Sequence, residues 1–444
     1  MFRSKSYPLI VLVSFFLGCV YNYGTVKVIL DTDPSYDPDD VGCMAMLHTM
    51  ATLGECEILA VVNSTNHKES SLAISAINQF YNRPSIPVGD YKGYPEKIDA
   101  PSDTYDYHLA KNYPRSLEVW SDSHDSVALY REILASAEND SITIVVIGTM
   151  HNFYALLKSQ ACGFSNLSGK ELVSEKVALV ATMGGNFIDG RGYDRTNWGG
   201  SVELCSYTSW SCLNEERNRM CRYVIENCPA PFMASGWEVG CGDYYHAEYG
   251  NVMTGQRLKE LNAGNIVREA YEYHFATRGG SERIDRHSND QCALLYAIRG
   301  EGENFKAYSN GKITLSPTGV CTWDPGIPRG QGYIQKKRDK ELIAEEIEVL
   351  MMGLPPTTTT SLPSAPTQLK IISEGGKSVL TWDAVKGLEP GTWVAGYQVF
   401  KNSVYLGTAY GLKFLDSDFS KSGTYSVRAV TAEGKVGEQA DLGI

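Results

Sequence analysis

The chain has 444 residues and a net charge of −12, from 40 Lys and Arg against 52 Asp and Glu. With 43% hydrophobic and 21% charged residues, disorder and collagen-like repeats are excluded. The Lys and Arg are not clustered, which argues against a nucleic-acid partner, because binding a phosphate backbone by counterion release needs grouped cations.

Arg3 and Lys5 precede an apolar run from Pro8 to Leu17, followed by Gly18 and Cys19. The basic flank and short run predict a signal peptide over residues 1–22 and a secreted or extracytoplasmic chain. Phe16-Leu17-Gly18-Cys19 has the outline of a lipoprotein cleavage box, though Leu17 is bulky beside Gly18, so lipid anchoring at Cys19 stays open. No later stretch reads as a transmembrane segment.

Residues 23–354 read as one large domain. Val26–Leu30, Glu57–Val62, Ile142–Ile147, Val177–Ala181 and Pro231–Ala234 are short run-on apolar segments, as in parallel strands covered on both faces. Val41–Leu53 and Ser126–Ser136 carry helical periodicity. The fold class is therefore α/β, with a mostly parallel doubly wound sheet. Polar residues follow each strand: Asp31 and Asp33; Asn63 and Asn66; Thr149, His151 and Asn152; Gly184, Gly185 and Asn186; Ser235 and Glu238. Open α/β sheets bind ligands at the carboxyl ends of their strands, so five polar loops on one edge predict one cleft.

The first loop carries the strongest chemistry. Asp31, Asp33, Asp37, Asp39 and Asp40 place five carboxylates within ten residues. Such charges repel unless a cation binds, and an all-oxygen donor set suits Ca²⁺ or Mg²⁺. An acidic solvated turn, or helix capping by Asp39 and Asp40, is the competing reading. An aspartyl-nucleophile phosphotransferase also uses an acidic pair after a strand, but no downstream Lys and second acidic pair match clearly.

Cys205, Cys212, Cys221, Cys228 and Cys241 crowd one stretch and predict a disulfide patch in an exported chain. Zinc is disfavoured by the long spacings and the lack of an interleaved His. Cys43 and Cys292 lie in apolar, helix-like runs and read as buried thiols. Asn63, Asn139 and Asn166 head glycosylation sequons, and a glycan at Asn63 would block the cleft.

Residues 355–366 form a Pro/Thr-rich linker. Beyond it, residues 367–444 alternate apolar and polar positions over Ser378–Trp382, Ala395–Phe400 and Thr424–Val430, which predicts a C-terminal all-β sandwich. Trp382, Tyr397 and Tyr425 are placed as in a fibronectin type III domain, which this segment resembles. Core packing accounts for these aromatics, and no chemistry is assigned to the domain.

From Lys27 to Leu350 the sequence resembles the inosine–uridine-preferring nucleoside hydrolases, in a divergent secreted branch. The resemblance rests on Asp31-Thr32-Asp33 with Asp39-Asp40, Asn66, Gly148-Thr149-Met150-His151-Asn152, Met183-Gly184-Gly185 and Arg286–Ala293. It implies a Ca²⁺ cofactor held by Asp33, Asp40, the backbone carbonyl of His151 and Asp290, completed by two ribose hydroxyls and a water. Asp33 would be the general base toward that water. Asp39, Asn66, Met183 and Asn197 would bind substrate, and Asp31 would support the ligands from behind. The implied partner is a small nucleoside or ribosyl compound. Homo-oligomerisation and surface adhesion through the C-terminal domain stay open.

Two positions depart from the family pattern. Asn289 stands where a His usually precedes the last metal Asp, and an amide cannot protonate a leaving base. Arg195 stands where the family has Glu, two residues before Asn197. Two readings follow: a secreted Ca²⁺-dependent hydrolase of N-glycosidic bonds, or a non-catalytic calcium-dependent nucleoside or sugar receptor on the same scaffold. Asp33 favours the enzyme, whereas Asn289 and Arg195 favour the receptor. His48, His67 and His287 read as structural. Trp198, Trp237 and Tyr193 read equally as core residues or as stacking partners for a base.

Overall fold

The computed structural model describes residues 25–443 except 36, 189–190, 196, 207–208, 243–249, 281, 356–361, 375–376, 386–387, 389–393, 417–421 and 432–434. The expected signal peptide, Cys19 and much of the linker lie outside the described residues.

In chain order the large domain runs β1 (Val26–Thr32), α1 (Asp39–Thr52), β2 (Cys56–Asn63), α2 (Lys68–Phe80), β3 (Val88–Asp90), α3 (Tyr105–Asn112), β4 (His124–Asp125), α4 (Ser126–Ser136), β5 (Ile142–Val146), α5 (His151–Lys158) and α6 (Gly169–Lys176). It continues with β6 (Val177–Met183), β7 (Arg191–Tyr193), α7 (Glu215–Asn227), β8 (Phe232–Ser235), α8 (Trp237–Gly240), β9 (Met253–Thr254), α9 (Ile266–Thr277), β10 (Arg286–His287), α10 (Asn289–Arg299), β11 (Phe305–Leu315), β12 (Val320–Asp324), β13 (Gln331–Lys336) and α11 (Lys340–Met351).

The five run-on apolar segments are β1, β2, β5, β6 and β8 of an 11-stranded sheet, ordered β4-β3-β2-β1-β5-β6-β8-β13-β11-β12-β7. Pairing is parallel from β4 to β13. The remaining three strands add antiparallel. Alternation along β1 divides the core: Val28 and Leu30 join a cluster with α1, α10 and α11, whereas Ile29 joins α4 to α7 on the opposite face. Helix α1 is buried along nearly its whole length, against the sheet, α10 and α11, so its sequence carries no polar face.

From β1 the chain winds outward through β2, β3 and β4, then returns to lay β5 on the other side of β1. The loops after β1 and β5 therefore part at a switch point, which opens a crevice at their carboxyl ends.

The C-terminal segment has β14 (Thr367–Glu374), β15 (Lys377–Asp383), β16 (Val394–Lys401), β17 (Val404–Ala409), β18 (Lys413–Leu415), β19 (Thr424–Thr431) and β20 (Val436–Gly443). They form sheets β14-β15-β18 and β17-β16-β19-β20. Leu380 and Trp382 from one sheet pack on Tyr397, Val399, Tyr425 and Val427 from the other, as a sandwich requires.

The expected disulfide patch is present in part, as one bond. Cys205 bonds Cys212, while Cys221, Cys228 and Cys241 are free thiols. Cys221, Val224 and Cys228 line up along the inward side of α7, so two of the clustered cysteines are core residues. Cys43 and Cys292 are buried thiols, as their runs predict.

Candidate active site

The crevice holds a cavity of about 300 Å³. All five strand-end loops reach its wall, through Asp33, Ser35, Asp37, Asp39 and Asp40, then Ser64 to Asn66, Ile147 and Thr149, Met183, and Trp237. Helix α10 adds Asn289 and Asp290.

Asp39 and Asp40 open α1, and Asp290 sits in the first turn of α10. Their carboxylate oxygens lie within 4.8 Å of one another, and all three residues are buried. Asp40 is fixed by the end of β1: its Oδ1 accepts from the Thr32 hydroxyl and from the Asp33 N–H at 3.1 Å. Asp33 lines the same cavity but stands outside this closest triplet. Gly148 packs over it without a side chain, since a Cβ there would come within 2.8 Å of the Asp33 nitrogen.

Burial, then mutual repulsion, pushes the carboxyls of Asp39, Asp40 and Asp290 well above the ordinary carboxylate range. Burial likewise raises Asp33 to about 7, against the opposing charge of Arg217. A divalent cation would relieve this repulsion. The donor set also fits one, because carboxylates and a strand-end carbonyl without nitrogen or sulfur suit a hard ion.

Asp31 lies beneath the cavity, fully buried. It accepts from Asn152 Nδ2 at 2.9 Å and from the Tyr130 hydroxyl at 3.1 Å. Burial raises its carboxyl to about 7 despite these bonds. Asn152 also donates to the Asn63 carbonyl at 3.1 Å, so one amide ties together the ends of β1, β2 and β5.

His151 is the residue expected to supply a backbone ligand. It is the first residue of α5, outside the cavity lining, with its ring against Tyr91 and Tyr94. Ile147, just after β5, lines the cavity, and its carbonyl accepts from Asn197 Nδ2 at 2.5 Å. Asn66, Met183 and Asn197 all line the cavity.

Asn63 does not face the cleft. It is buried, donating to Asp90 at 2.7 Å and accepting from the Thr65 N–H at 3.0 Å, so a glycan there is incompatible with the folded chain. Trp198 is a core residue packed under Gly184 and Gly185, Tyr193 is exposed on β7, and only Trp237 of the three aromatics reaches the cavity.

No protein-family model matches the sequence, and no curated protein matches it. Solved structures do. A plant nucleoside hydrolase is 16% identical, with 74% of this chain and 99% of that one covered at a TM-score of 0.50. A purine-preferring ribonucleoside hydrolase from Gardnerella vaginalis is 13% identical, with coverage of 73% and 96% and a TM-score of 0.51. An inosine-guanosine nucleoside hydrolase is 16% identical, with coverage of 74% and 99% and a TM-score of 0.51. The chain has the nucleoside hydrolase fold.

On this fold the site includes residues that sequence reasoning passed over. Arg217, in the first turn of α7, lines the cavity with Tyr94. It lies within the cysteine-rich stretch, between Cys212 and Cys221, and nothing local in the sequence aims it at the cavity. His67, read as structural, is also on the wall. Its Nδ1 lies 3.2 Å from the buried Asp106 carboxylate and 3.0 Å from the Ser35 hydroxyl. His48 is a core residue bonded to Asn78, and His287 lies in β10 outside the lining. Asn289 lines the cavity, and its buried Oδ1 has no hydrogen-bond partner among the described residues.

Proposed function

We propose that this chain is a secreted, Ca²⁺-dependent hydrolase of N-glycosidic bonds in ribonucleosides or related ribosyl compounds. The observation that carries this reading is the buried Asp39, Asp40 and Asp290 cluster beside Asp33, at the switch point of a nucleoside hydrolase fold. Asp33, Asp40, Asp290 and the backbone carbonyl of His151 are the groups that would hold one Ca²⁺. When bound, the ion supplies a Lewis acid that lowers the pKa of water and anchors ribose hydroxyls.

Asp33 accepts the proton of the attacking water, a role suited to a carboxyl whose affinity for protons burial has raised. Asp39, Asn66 and Asn197 receive the ribose hydroxyls. The surrounding carboxylates favour the positive charge that develops on the ribosyl ring as the glycosidic bond breaks. Asp31 keeps the β1 end rigid from beneath. The C-terminal sandwich, fibronectin type III-like in its strand count and aromatic core, takes no part in this chemistry.

Asn289 favours the second reading, a calcium-dependent receptor, because it brings no acid to the wall beside Asp290. A reducing-sugar assay on the purified chain with a nucleoside panel decides between the two. Sugar release that stops on chelation supports the hydrolase. Nucleoside binding without release, under the same calcium, supports the receptor.

A further inference from the structure

We propose that the C-terminal sandwich is a brace for the carboxylate site and that Tyr410 is the positioning residue through which it acts, a role that rests on the cation site proposed above.

Helices α1 and α10 both start at the site and run away from it packed side by side. Asp39 and Asp40 open α1, and Asp290 lies in the first turn of α10. The far ends of the two helices are joined as well. Arg299, the last residue of α10, donates from Nε and Nη2 to the Glu55 carboxylate, just beyond the end of α1, at 2.8 and 2.7 Å. Its Nη1 donates to Glu346 of α11 at 2.6 Å. Glu346 is buried and also accepts from Asn304 Nδ2 at 2.9 Å and from Arg338 Nη1 at 3.2 Å. At about 1.5 Å of rise per residue, this node stands about 14 Å along α10 from Asp290. A helix carries a shift at one end to the other, so the node sets how α1 and α10 present their carboxylates. Those carboxylates repel one another once ionised, and the node resists the parting of the helices.

The two carboxylates fill the edges of the Arg299 fork, which leaves its faces. Tyr410 covers one of them, with its ring centre 4.8 Å from the guanidinium carbon. The ring attracts the cation and keeps water from ion pairs that water would otherwise screen. Tyr410 belongs to the turn between β17 and β18 of the sandwich. Its neighbour Gly411 lies against α11, where a side chain would overlap the Glu345 carboxylate. Clefts of about 720 and 460 Å³ lie between the two domains, and Tyr410 lines both, so this turn is a point of contact between open spaces. A brace that touches at one point can be undone there.

The test is calorimetric calcium titration of the full, chelator-stripped chain and of variants changed only on the sandwich side. Tyr410→Ala is expected to weaken binding by about fivefold, the lower end for coupling between two sites. Tyr410→Phe keeps the ring face and should stay within about twofold of the parent. Gly411→Glu sets a second carboxylate against Glu345 and should weaken binding as Tyr410→Ala does, with Tyr410 itself left in place. Circular dichroism confirms folding, and if Tyr410→Ala does not fold, Gly411→Glu decides alone. A loss of stability by itself would leave the calcium affinity of the folded chain unchanged, so this readout separates a brace from a merely stabilising contact. Parent-like affinity in either undocking variant, or Tyr410→Phe as weak as Tyr410→Ala, overturns the proposal. If the parent binds no calcium, the cation reading fails separately, and hydrogen exchange gives the answer. Faster exchange along α1 and α10 in Tyr410→Ala but not in Tyr410→Phe supports the brace, and any other pattern overturns it.

Discussion

Arg286 grips Asp37 with both nitrogen positions of its fork: Nε lies 2.8 and 3.0 Å from the two carboxylate oxygens, and Nη2 lies 2.5 Å from one of them. This pair ties the middle of the β1 loop to β10. Asp37 clamps the loop to the strand that leads into α10, and so holds Asp39 and Asp40 opposite Asp290. Burial alone would raise the Asp37 carboxyl, but the hydrogen bonds and charge of Arg286 bring it below the usual carboxylate range.

Breaking this clamp should loosen the metal site without removing a ligand. Arg286→Gln is expected to weaken calcium binding by about tenfold, the lower end for a group that orients metal ligands, because the pair is about a third exposed and partly screened. Calorimetric titration of the chelator-stripped protein measures it. An unchanged affinity would mean that Asp37 and Arg286 merely decorate the rim.

Stability should depend on pH and calcium together. The carboxyls of Asp31 and Asp33 are raised from 3.8 to about 7, and those of Asp39, Asp40 and Asp290 shift the same way. Between these limits the folded chain keeps protons that the unfolded chain has released, so the metal-free fold loses stability as pH rises through that window. On the reading proposed above, calcium would bind the ionised carboxylates and displace those protons, so its stabilising effect should grow over the same range. Melting temperatures taken near pH 5 and pH 8, with chelator and with calcium, test both signs. A calcium shift as large at the acid end as at the alkaline end would contradict the account.

The anchor beneath the site should matter to folding. Asn152 donates to Asp31 and to the Asn63 carbonyl, and its Oδ1 accepts from the Ser126 hydroxyl at 2.5 Å, all of it buried. Asn152→Ala leaves three buried polar groups short of a partner and is expected to destabilise the chain by about 2–4 kcal/mol. Urea denaturation provides the measurement, and a loss below about 0.5 kcal/mol would show that water replaces the amide.

The parallel strands and the polar edge were legible because β1, β2, β5, β6 and β8 are covered on both faces and read as apolar runs. The antiparallel extension through β11, β12 and β7 was not, since its exposed positions interrupt the pattern, as in Phe305–Leu315. In the sandwich, β15, β16 and β19 bury apolar residues in the core and could be read, whereas β14 and β20 have no buried residue. Side-chain carboxylates announce themselves in a sequence. Backbone carbonyls do not, because any residue at a given position supplies the same oxygen. Arg217 belongs to the site through tertiary packing of α7, which no spacing encodes.

Metal and base should separate by mutation. Asp290 belongs to the tight carboxylate triplet, whereas Asp33 lines the cavity just outside it. Asp290→Asn should therefore weaken calcium binding more than Asp33→Asn does, and excess calcium should restore part of its rate. Asp33→Asn removes the proton acceptor, because an amide cannot take a proton from water. General-base assistance is typically worth about 10²–10⁴-fold, and that loss should persist at saturating calcium. Ribose release measured across a calcium titration distinguishes the two. Full recovery of Asp33→Asn with calcium would make Asp33 a ligand only and require another base. If neither substitution changed a measurable turnover, the chemistry would have to lie outside the β1 loop altogether, and the raised carboxyls there would serve only to hold the cation.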